Sequence, residues 1–279
     1  MTIHQKEVKV LLRSYKHDGV TCLELTHPVM GKVFAFLTDG MLVDTGPQSL
    51  EADLMPYLEQ ASFDQIVLTH SHEDHSGNVP TILERRDVPV FIHEKGIDIC
   101  AEDTPYPAYR QAVWGKRKPF KAQPIPDPLR SRTHEWTVIE TPGHAADHIS
   151  LFNPQTGTLF SGDLFVATKT KVIMADESIP ERMDSIRRLL ALDFGPLFCC
   201  HSGYVADGQD KLRQKLDHLE YIYSEVERLH KKGLPAEEIR KSLYPKDYPI
   251  ISVSGGEWDS LHIVNSVIND IEKKTPRLI

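Results

Sequence analysis

Histidine and aspartate side chains are concentrated in one short segment of the sequence. The segment is Thr69-His70-Ser71-His72-Glu73-Asp74-His75, and it places three imidazoles and Asp74 within six residues. Imidazole and carboxylate groups are ligands for zinc, and they also suit iron and manganese. An apolar strand precedes the segment, so His70 and His72 can point one way while Asp74 and His75 point another. The segment therefore predicts two adjacent metal ions rather than one.

Further candidate ligands stand directly after other apolar runs. The run QIVLT leads into His70, WTVIETPG into His144, TLFSG into Asp163 and PLFCC into His201. Such runs predict buried strands, and the ends of neighbouring strands lie close together. Scattered surface histidines would not share this order, so we expect the side chains to converge on one point. The candidate metal ligands are His70, His72, Asp74, His75, His144, Asp163 and His201.

The remaining patterns predict a mixed N-terminal part and a helical tail. The runs VKVLLRSY, VTCLELTH and KVFAFLTDG predict strands. Ser178 and Glu181 have the spacing of a capping box, which predicts a helix over 178–193. Asp207 is expected to cap a longer helix that ends at Gly233. With two more helices predicted near 235–243 and 259–272, we expect a domain over 1–207 and a helical extension over 208–279.

Composition limits the partners and the compartment. The chain has 279 residues and a formal net charge of −8, which argues against non-specific binding to anionic membranes or nucleic acid, although a local basic patch for nucleic acid is not excluded. No run approaches the roughly 20 apolar residues of a membrane helix. The four cysteines form no disulfide pattern, which favours a cytoplasmic location.

The order of these motifs resembles that of the metallo-β-lactamase superfamily. That family carries H-x-H-x-D-H, then a distant His, an Asp and a final His. Here the corresponding segments are HSHEDH, TPGH ending at His144, SGD ending at Asp163 and CCHSG with His201, and the flanking VDTG with Asp44 agrees as well. The resemblance covers about residues 8–205.

The resemblance implies both a fold and a ligand set. The fold is α+β, an αββα sandwich of two mixed β-sheets flanked by helices, here with a helical C-terminal extension. One metal ion is held by His70, His72 and His144, and the other by Asp74, His75 and His201. Asp163 bridges the two ions, which share a hydroxide.

The implied chemistry is hydrolysis by a dinuclear metal centre. Two divalent cations, zinc being expected and iron or manganese also suiting the ligands, lower the pKa of a bound water and polarise a substrate oxygen. Asp74 is the candidate catalytic residue because it can hold the water or take its proton. The substrate class stays open between an ester, a thioester, a lactone and a phosphoester. An iron-dependent oxidoreductase on the same fold is the alternative.

Three further residues near these motifs are candidates for supporting or structural roles. Asp44 is either a support for the ligand histidines or a turn aspartate, and the resemblance favours support. His148 follows His144 by four residues, and a supporting or substrate-facing role is expected because the ligand set is full. His93 ends another apolar run, but it has no obvious partner and is expected to be structural.

The segment 101–132 is a departure from a minimal fold. We expect it to wall the active-site cleft and to bring Tyr106, Tyr109 or Trp114 within reach of a small-molecule substrate. From Arg110 to Arg132 one acidic residue, Asp127, stands among seven basic ones, and this contrast predicts attraction of an anionic substrate. The basic residues are Arg110, Lys116, Arg117, Lys118, Lys121, Arg130 and Arg132.

Overall fold

A computed structural model describes residues 11–27, 31–103 and 105–274 of the chain. Residues 8–10 of the first predicted strand lie outside these ranges, as does residue 104 in the segment 101–132. Seven strands form the first sheet in chain order: β1 (Leu11–His17), β2 (Val20–His27), β3 (Gly31–Thr38), β4 (Met41–Val43), β5 (Gln65–Val67), β6 (Val90–Ile92) and β7 (Gln123–Pro124).

A second sheet and a small strand pair complete the described β-structure. The further strands are β8 (Leu129–Arg130), β9 (Glu135–Glu140), β10 (Ile149–Asn153), β11 (Thr158–Gly162), β12 (Ile173–Met174), β13 (Leu197–Cys199), β14 (Gly203–Val205) and β15 (Trp258–Asp259). The second sheet has the order β14-β13-β11-β10-β9-β8, and β12 pairs with β15.

Helices occupy the outer faces and the C-terminal part. They are α1 (Glu51–Gln60), α2 (Glu73–Ser76), α3 (Val79–Leu83), α4 (Glu94–Ala101), α5 (Ala108–Trp114), α6 (Ile179–Leu190), α7 (Gly208–Lys231), α8 (Ala236–Leu243), α9 (Pro249–Val253) and α10 (Ser260–Lys274). No helix in the described ranges is both long enough and apolar enough to cross a membrane.

Turn chemistry determines which strands pair antiparallel in the first sheet. β1 to β4 pair antiparallel with their sequence neighbours, and Asp39-Gly40 in the turn between β3 and β4 has φ values of 45° and 80°. Two successive residues of positive φ match the right-handed twist of a hairpin, and Asp-Gly tolerates them. β4 to β7 pair parallel, because longer connections with helices intervene.

Successive side chains of each strand face opposite sides of the sheet, so both faces of each sheet can be covered and the fold has four layers. In β3, Phe34 and Phe36 pack between the two sheets, while Ala35 faces the opposite side against the helices of the first half. The space between the sheets is filled by side chains of both, for example Phe160 and Phe198 of the second sheet. A third cluster lies between the second sheet and α6, α7, α8 and α10. The predicted sandwich of two mixed sheets flanked by helices is confirmed.

The C-terminal helices agree with the sequence patterns except at one cap. Ser178 Oγ accepts a hydrogen bond from Glu181 N at 3.3 Å, as the capping box predicts. Asp207 precedes α7, but its side chain makes no capping hydrogen bond, so that prediction is wrong. Its conformation explains the difference, because φ −93° and ψ 47° depart from the extended backbone of a capping residue.

The helices after residue 207 share a core with the rest of the chain. One apolar cluster joins Leu197 and Cys199 of β13 and Ile186 of α6 to Leu219 of α7 and Val264 of α10. The boundary between 1–207 and 208–279 stays a prediction. All four cysteines are free and buried.

Candidate metal centre

The candidate ligands lie at one end of the two sheets because the strands that precede them pair in register. In the first sheet β4 and β5 run parallel with Val43 beside Val67, which brings Asp44 close to the segment that starts at Thr69. In the second sheet β11 and β13 run parallel with Gly162 beside Cys199. Asp163 and His201 follow these strands, so both sheets deliver their polar residues to the same edge.

Three imidazoles form the first group of candidate ligands. One nitrogen each of His70, His72 and His144 lies within 4.8 Å of the others. His72 Nδ1 and His144 Nε2 are 3.1 Å apart. Three imidazoles that converge in this way can occupy three positions of a tetrahedral site and leave one position open.

The second group combines two carboxylates and two imidazoles, again within 4.8 Å of one another: Asp74, His75, Asp163 and His201. Asp74 Oδ2 lies 3.2 Å from His201 Nε2 and 3.7 Å from His75 Nε2. All seven residues expected from the sequence are thus brought together in two adjacent groups. That they bind metal stays a prediction.

Asp163 stands between the two groups. Its Oδ2 atom is 3.6 Å from His144 Nε2 of the first group, and it is 3.6 Å from His75 Nε2 and 3.1 Å from His201 Nε2 of the second. A carboxylate in this position can contact a cation in either group.

Three polar atoms of the candidate metal site have no hydrogen-bond partner among the described residues. They are the buried atoms His70 Nε2, His75 Nε2 and Asp163 Oδ1. Buried polar atoms are nearly always paired, since an unpaired one costs about 1–3 kcal/mol. The donor set of imidazole nitrogens and carboxylate oxygens is that of zinc, iron or manganese. The residues therefore fit two cations.

The protonation of the two groups differs because their neighbours differ. Burial lowers the pKa of His72 to about 3, and the nearby His144 also lowers it. Burial also opposes charge on His75 and His201, but the carboxylates of Asp74 and Asp163 outweigh it and hold both pKa values well above the usual range. The imidazoles of the second group therefore carry protons that a cation would displace on binding.

Asp44 orients the second group. Its Oδ2 atom accepts hydrogen bonds from His75 Nδ1 at 2.9 Å, Thr69 Oγ1 at 2.8 Å and Cys200 Sγ at 2.9 Å, and Oδ1 accepts one from Thr69 N at 2.8 Å. The bond to Nδ1 directs the Nε2 atom of His75 towards Asp74 and Asp163. Asp44 thus supports the candidate ligand His75, in keeping with what the resemblance implies.

Replacing Asp44 with asparagine is expected to weaken metal binding by about 10- to 100-fold, because the amide presents a donor to groups that donate already and removes the charge opposite His75. Competition against a chromophoric chelator measures this affinity. Asp39→Asn is the matched control, since Asp39 also follows a strand but contacts Ser131 and Thr133 rather than a ligand. Equal affinity in Asp44→Asn and the wild-type protein would contradict the role.

A pair of residues that the sequence patterns missed supports His144. Glu177 Oε2 lies 3.1 Å from His144 Nδ1, and Arg182 pairs with the same carboxylate. Burial tends to raise the pKa of Glu177, but Arg182 and His144 lower it to about 2. The glutamate precedes the capping serine of α6, and nothing in its local spacing distinguishes it. Only the packing of α6 against the site reveals it.

His148 supports the backbone of Asp163. Its Nε2 atom accepts a hydrogen bond from Asp163 N at 2.9 Å, and its Nδ1 atom lies 2.8 Å from Thr141 Oγ1. The side chain is buried, in keeping with the supporting role expected from the full ligand set. His93 instead accepts a hydrogen bond from Lys95 N at the start of α4, so it is structural.

A cavity of about 400 Å³ opens over the ligand groups. One wall comes from the segment 166–174 and another from α5 and β15. Besides five of the ligands it is lined by Arg110, Trp114, Val166, Ala167, Lys169, Thr170, Lys171, Val172, Met174, Glu177, Arg182, Lys215 and Trp258. Volumes in this range suit small organic molecules.

The segment 101–132 contributes to the cavity in part. Trp114 and Arg110 line it, whereas Tyr106 is buried and Tyr109 donates a hydrogen bond to Glu257. Of the three aromatic residues proposed from the sequence, only Trp114 lines the cavity.

The basic residues of this segment are held by other partners. Arg117 is only 1% exposed and donates to the backbone oxygens of Cys100 and Ile99, so its charge serves the fold. Four others pair with acidic side chains: Arg110 with Glu73, Lys118 with Glu84, Arg130 with Glu135 and Arg132 with Asp64. The excess of positive charge over residues 110–132 is therefore largely neutralised by these ion pairs.

Arg110 joins the ligand segment to the C-terminal part. Its Nε and Nη2 atoms donate to the two carboxylate oxygens of Glu73 at 2.5 and 2.6 Å, and Nη1 donates to Glu257 at 3.0 Å. Glu73 stands between the ligands His72 and Asp74 and is 1% exposed. A bidentate arginine–carboxylate pair fixes geometry as well as charge, so α5 holds the ligand segment in place.

Comparison with known proteins agrees with this arrangement. The family model of the metallo-beta-lactamase superfamily matches residues 38–201, and the chain belongs to that superfamily. A probable metallo-hydrolase of Bacillus subtilis, YqjP, is 24% identical over 92% of the chain and 97% of its own length. A second one, YybB, is 31% identical over 48% of the chain and 62% of its own length.

Other similar proteins bear different names. The hydroxyacylglutathione hydrolase of Hamiltonella defensa is 30% identical over 59% of the chain and 57% of its own length. Among solved structures, a metallo-beta-lactamase family protein from Thermus thermophilus has a TM-score of 0.69 at 20% identity and covers 92% of this chain and 94% of its own. A flavo di-iron protein from Thermotoga maritima has a TM-score of 0.53 at 15% identity, covering 84% and 71%. At such identities the structures share the fold alone.

Proposed function

We propose that this chain is a hydrolase that holds two divalent cations, zinc by preference, and cleaves an ester, thioester, lactone or phosphoester. The position of Asp163 Oδ2 between imidazoles of both ligand groups carries this proposal, because one carboxylate can then bridge two ions. When bound, the ions supply hydroxide near neutral pH and polarise the substrate oxygen.

Asp74 is the residue proposed to handle the proton. Burial tends to raise the pKa of its carboxyl, but His75 and His201 outweigh burial and hold the pKa well below its usual range. The carboxylate is therefore ionised at neutral pH, and it lines the cavity. It can accept a hydrogen bond from the attacking water and orient it towards the substrate.

The cavity and the relatives narrow the substrates to test. A volume of about 400 Å³ favours a small molecule over a macromolecule. The relatives are named metallo-hydrolases, and one is named hydroxyacylglutathione hydrolase, so an acylated thiol is the first substrate to try. An iron-dependent oxidoreductase stays the alternative on this fold. We also propose a cytoplasmic location.

Hydrolysis of a panel of esters, thioesters, lactones and phosphodiesters by the purified protein tests the function. We expect turnover of at least one class, its loss after dialysis against a chelator, and its return when zinc, iron or manganese is restored. Turnover that survives complete metal removal would contradict the proposal. Protein that holds two iron ions, hydrolyses nothing and oxidises a thiol would favour the oxidoreductase.

A further inference from the structure

A buried lysine of the C-terminal extension lines the cavity. Lys215 belongs to α7 and is 2% exposed. Its Nζ atom donates to the backbone oxygen of Ala167 at 2.8 Å and to Thr170 Oγ1 at 3.3 Å. An ammonium group has three N–H donors, so one is left for another acceptor.

No carboxylate neutralises this charge within ion-pair distance in the described ranges, and both acceptors of Lys215 are neutral. The other two inward cations of the cavity differ, because Arg110 pairs with Glu73 and Arg182 with Glu177. Burying an ammonium group without a counter-charge is costly. Burial and then the nearby Arg182 lower the pKa of Lys215 to about 7, which reflects how little the surroundings compensate the charge.

The segment 166–174, which forms one wall of the cavity, adds positive charge beside apolar surface. Lys169 and Lys171 line the same cavity and are exposed, and neither makes an ion pair with another described residue. Trp114 and Trp258 line the cavity as well. A positive potential inside a cleft with apolar walls favours a compact organic anion.

We propose that Lys215 binds an anionic group of the substrate, a carboxylate or a phosphate, at a distance from the bond that is cleaved. This inference rests on the proposed function, and it gives the substrate of that hydrolase a second, charged end. The anion supplies the counter-charge that the protein lacks around the Nζ atom. Lys215 is thus assigned as a specificity-determining residue in the helical extension.

The test compares ligands of equal length that differ in their number of charges. Pentanoate and glutarate each offer one carboxylate to the metal ions, and only glutarate has a second at the far end. 4-Phosphonobutyrate replaces that second carboxylate by a phosphonate. Calorimetric titration of the metal-loaded protein measures all three affinities without requiring turnover, so the result is independent of whether hydrolysis is found.

We expect the wild-type protein to prefer glutarate or phosphonobutyrate to pentanoate by about 10- to 100-fold, as for one hydrogen bond to a charged group. The stronger of the two identifies the anion. Lys215→Met should abolish this preference, whereas the control Lys211→Met, on the same helix but outside the cavity lining, should retain it. A wild-type protein without the preference overturns the proposal even if Lys215→Met does not fold. A Lys215→Met protein that keeps the preference overturns it too, and so does one that weakens all three ligands equally, because Lys215 then only holds the segment 167–170.

Discussion

Asp163→Ala is expected to lower the metal content from about two equivalents to one or less, and turnover is expected to fall with it. The Oδ2 atom of Asp163 contacts imidazoles of both ligand groups, and its side chain is 7% exposed. Without the carboxylate, two dications would face each other across a few ångströms with little negative charge between them. Their repulsion, barely screened in a buried site, should expel one ion.

Elemental analysis of the variant, dialysed beside the wild-type protein, measures the effect. Asp193→Ala is a suitable control because Asp193 is exposed and lies in neither ligand group. Circular dichroism shows whether the variant is folded. A folded Asp163→Ala protein that keeps two metal ions and near-normal turnover would show that Asp163 does not bridge.

Asp74→Asn is expected to retain more metal than Asp163→Ala and yet to be slowed in kcat by about 10²–10⁴-fold. Asparagine keeps the shape and one oxygen ligand, but it has no charge with which to take a proton. The Oδ2 atom of Asp74 lies 3.2 Å from His201 Nε2 and 3.7 Å from His75 Nε2, both in the second group, so its loss should affect that group rather than both. Metal retention together with slow turnover would therefore distinguish the proton-handling role proposed for Asp74 from the bridging role proposed for Asp163.

The measurement pairs metal content with steady-state kinetics on the best substrate of the panel. If the slowing tracks metal loss in proportion, Asp74 acts as a ligand only. If Asp74→Asn keeps full activity, the water is positioned by the ions alone.

The convergence of the candidate ligands was predictable because four of the seven directly follow apolar runs that contain strands. That these residues bind metal stays a prediction. TLFSG is β11 in full, and Asp163 comes next in the chain. The pairing of strands was less accessible, because β4 and β5 are neighbours although α1 lies between them in sequence. Composition and periodicity indicated only mixed α and β, and the sandwich came from the resemblance.

Residues that support the ligands from other elements were not predictable. Glu177 and Arg182 reach His144 from the start of α6, and Lys215 reaches the cavity from α7. No local spacing links any of them to the ligands, so only tertiary packing brings them together. The count of basic residues over 101–132 did not include the four acids that pair with them, because all four lie outside that segment. Attraction of an anionic substrate stays a prediction.

The number of bound metal ions and the distance between them test the dinuclear assignment most directly. A crystal structure of the wild-type protein with anomalous data at the metal edge should show two ions, about 3.5–4 Å apart, with Asp163 in contact with both. One should lie among His70, His72 and His144, and the other in the group with His201. A single ion at full metal supplementation, or two ions without Asp163 between them, would contradict the dinuclear assignment.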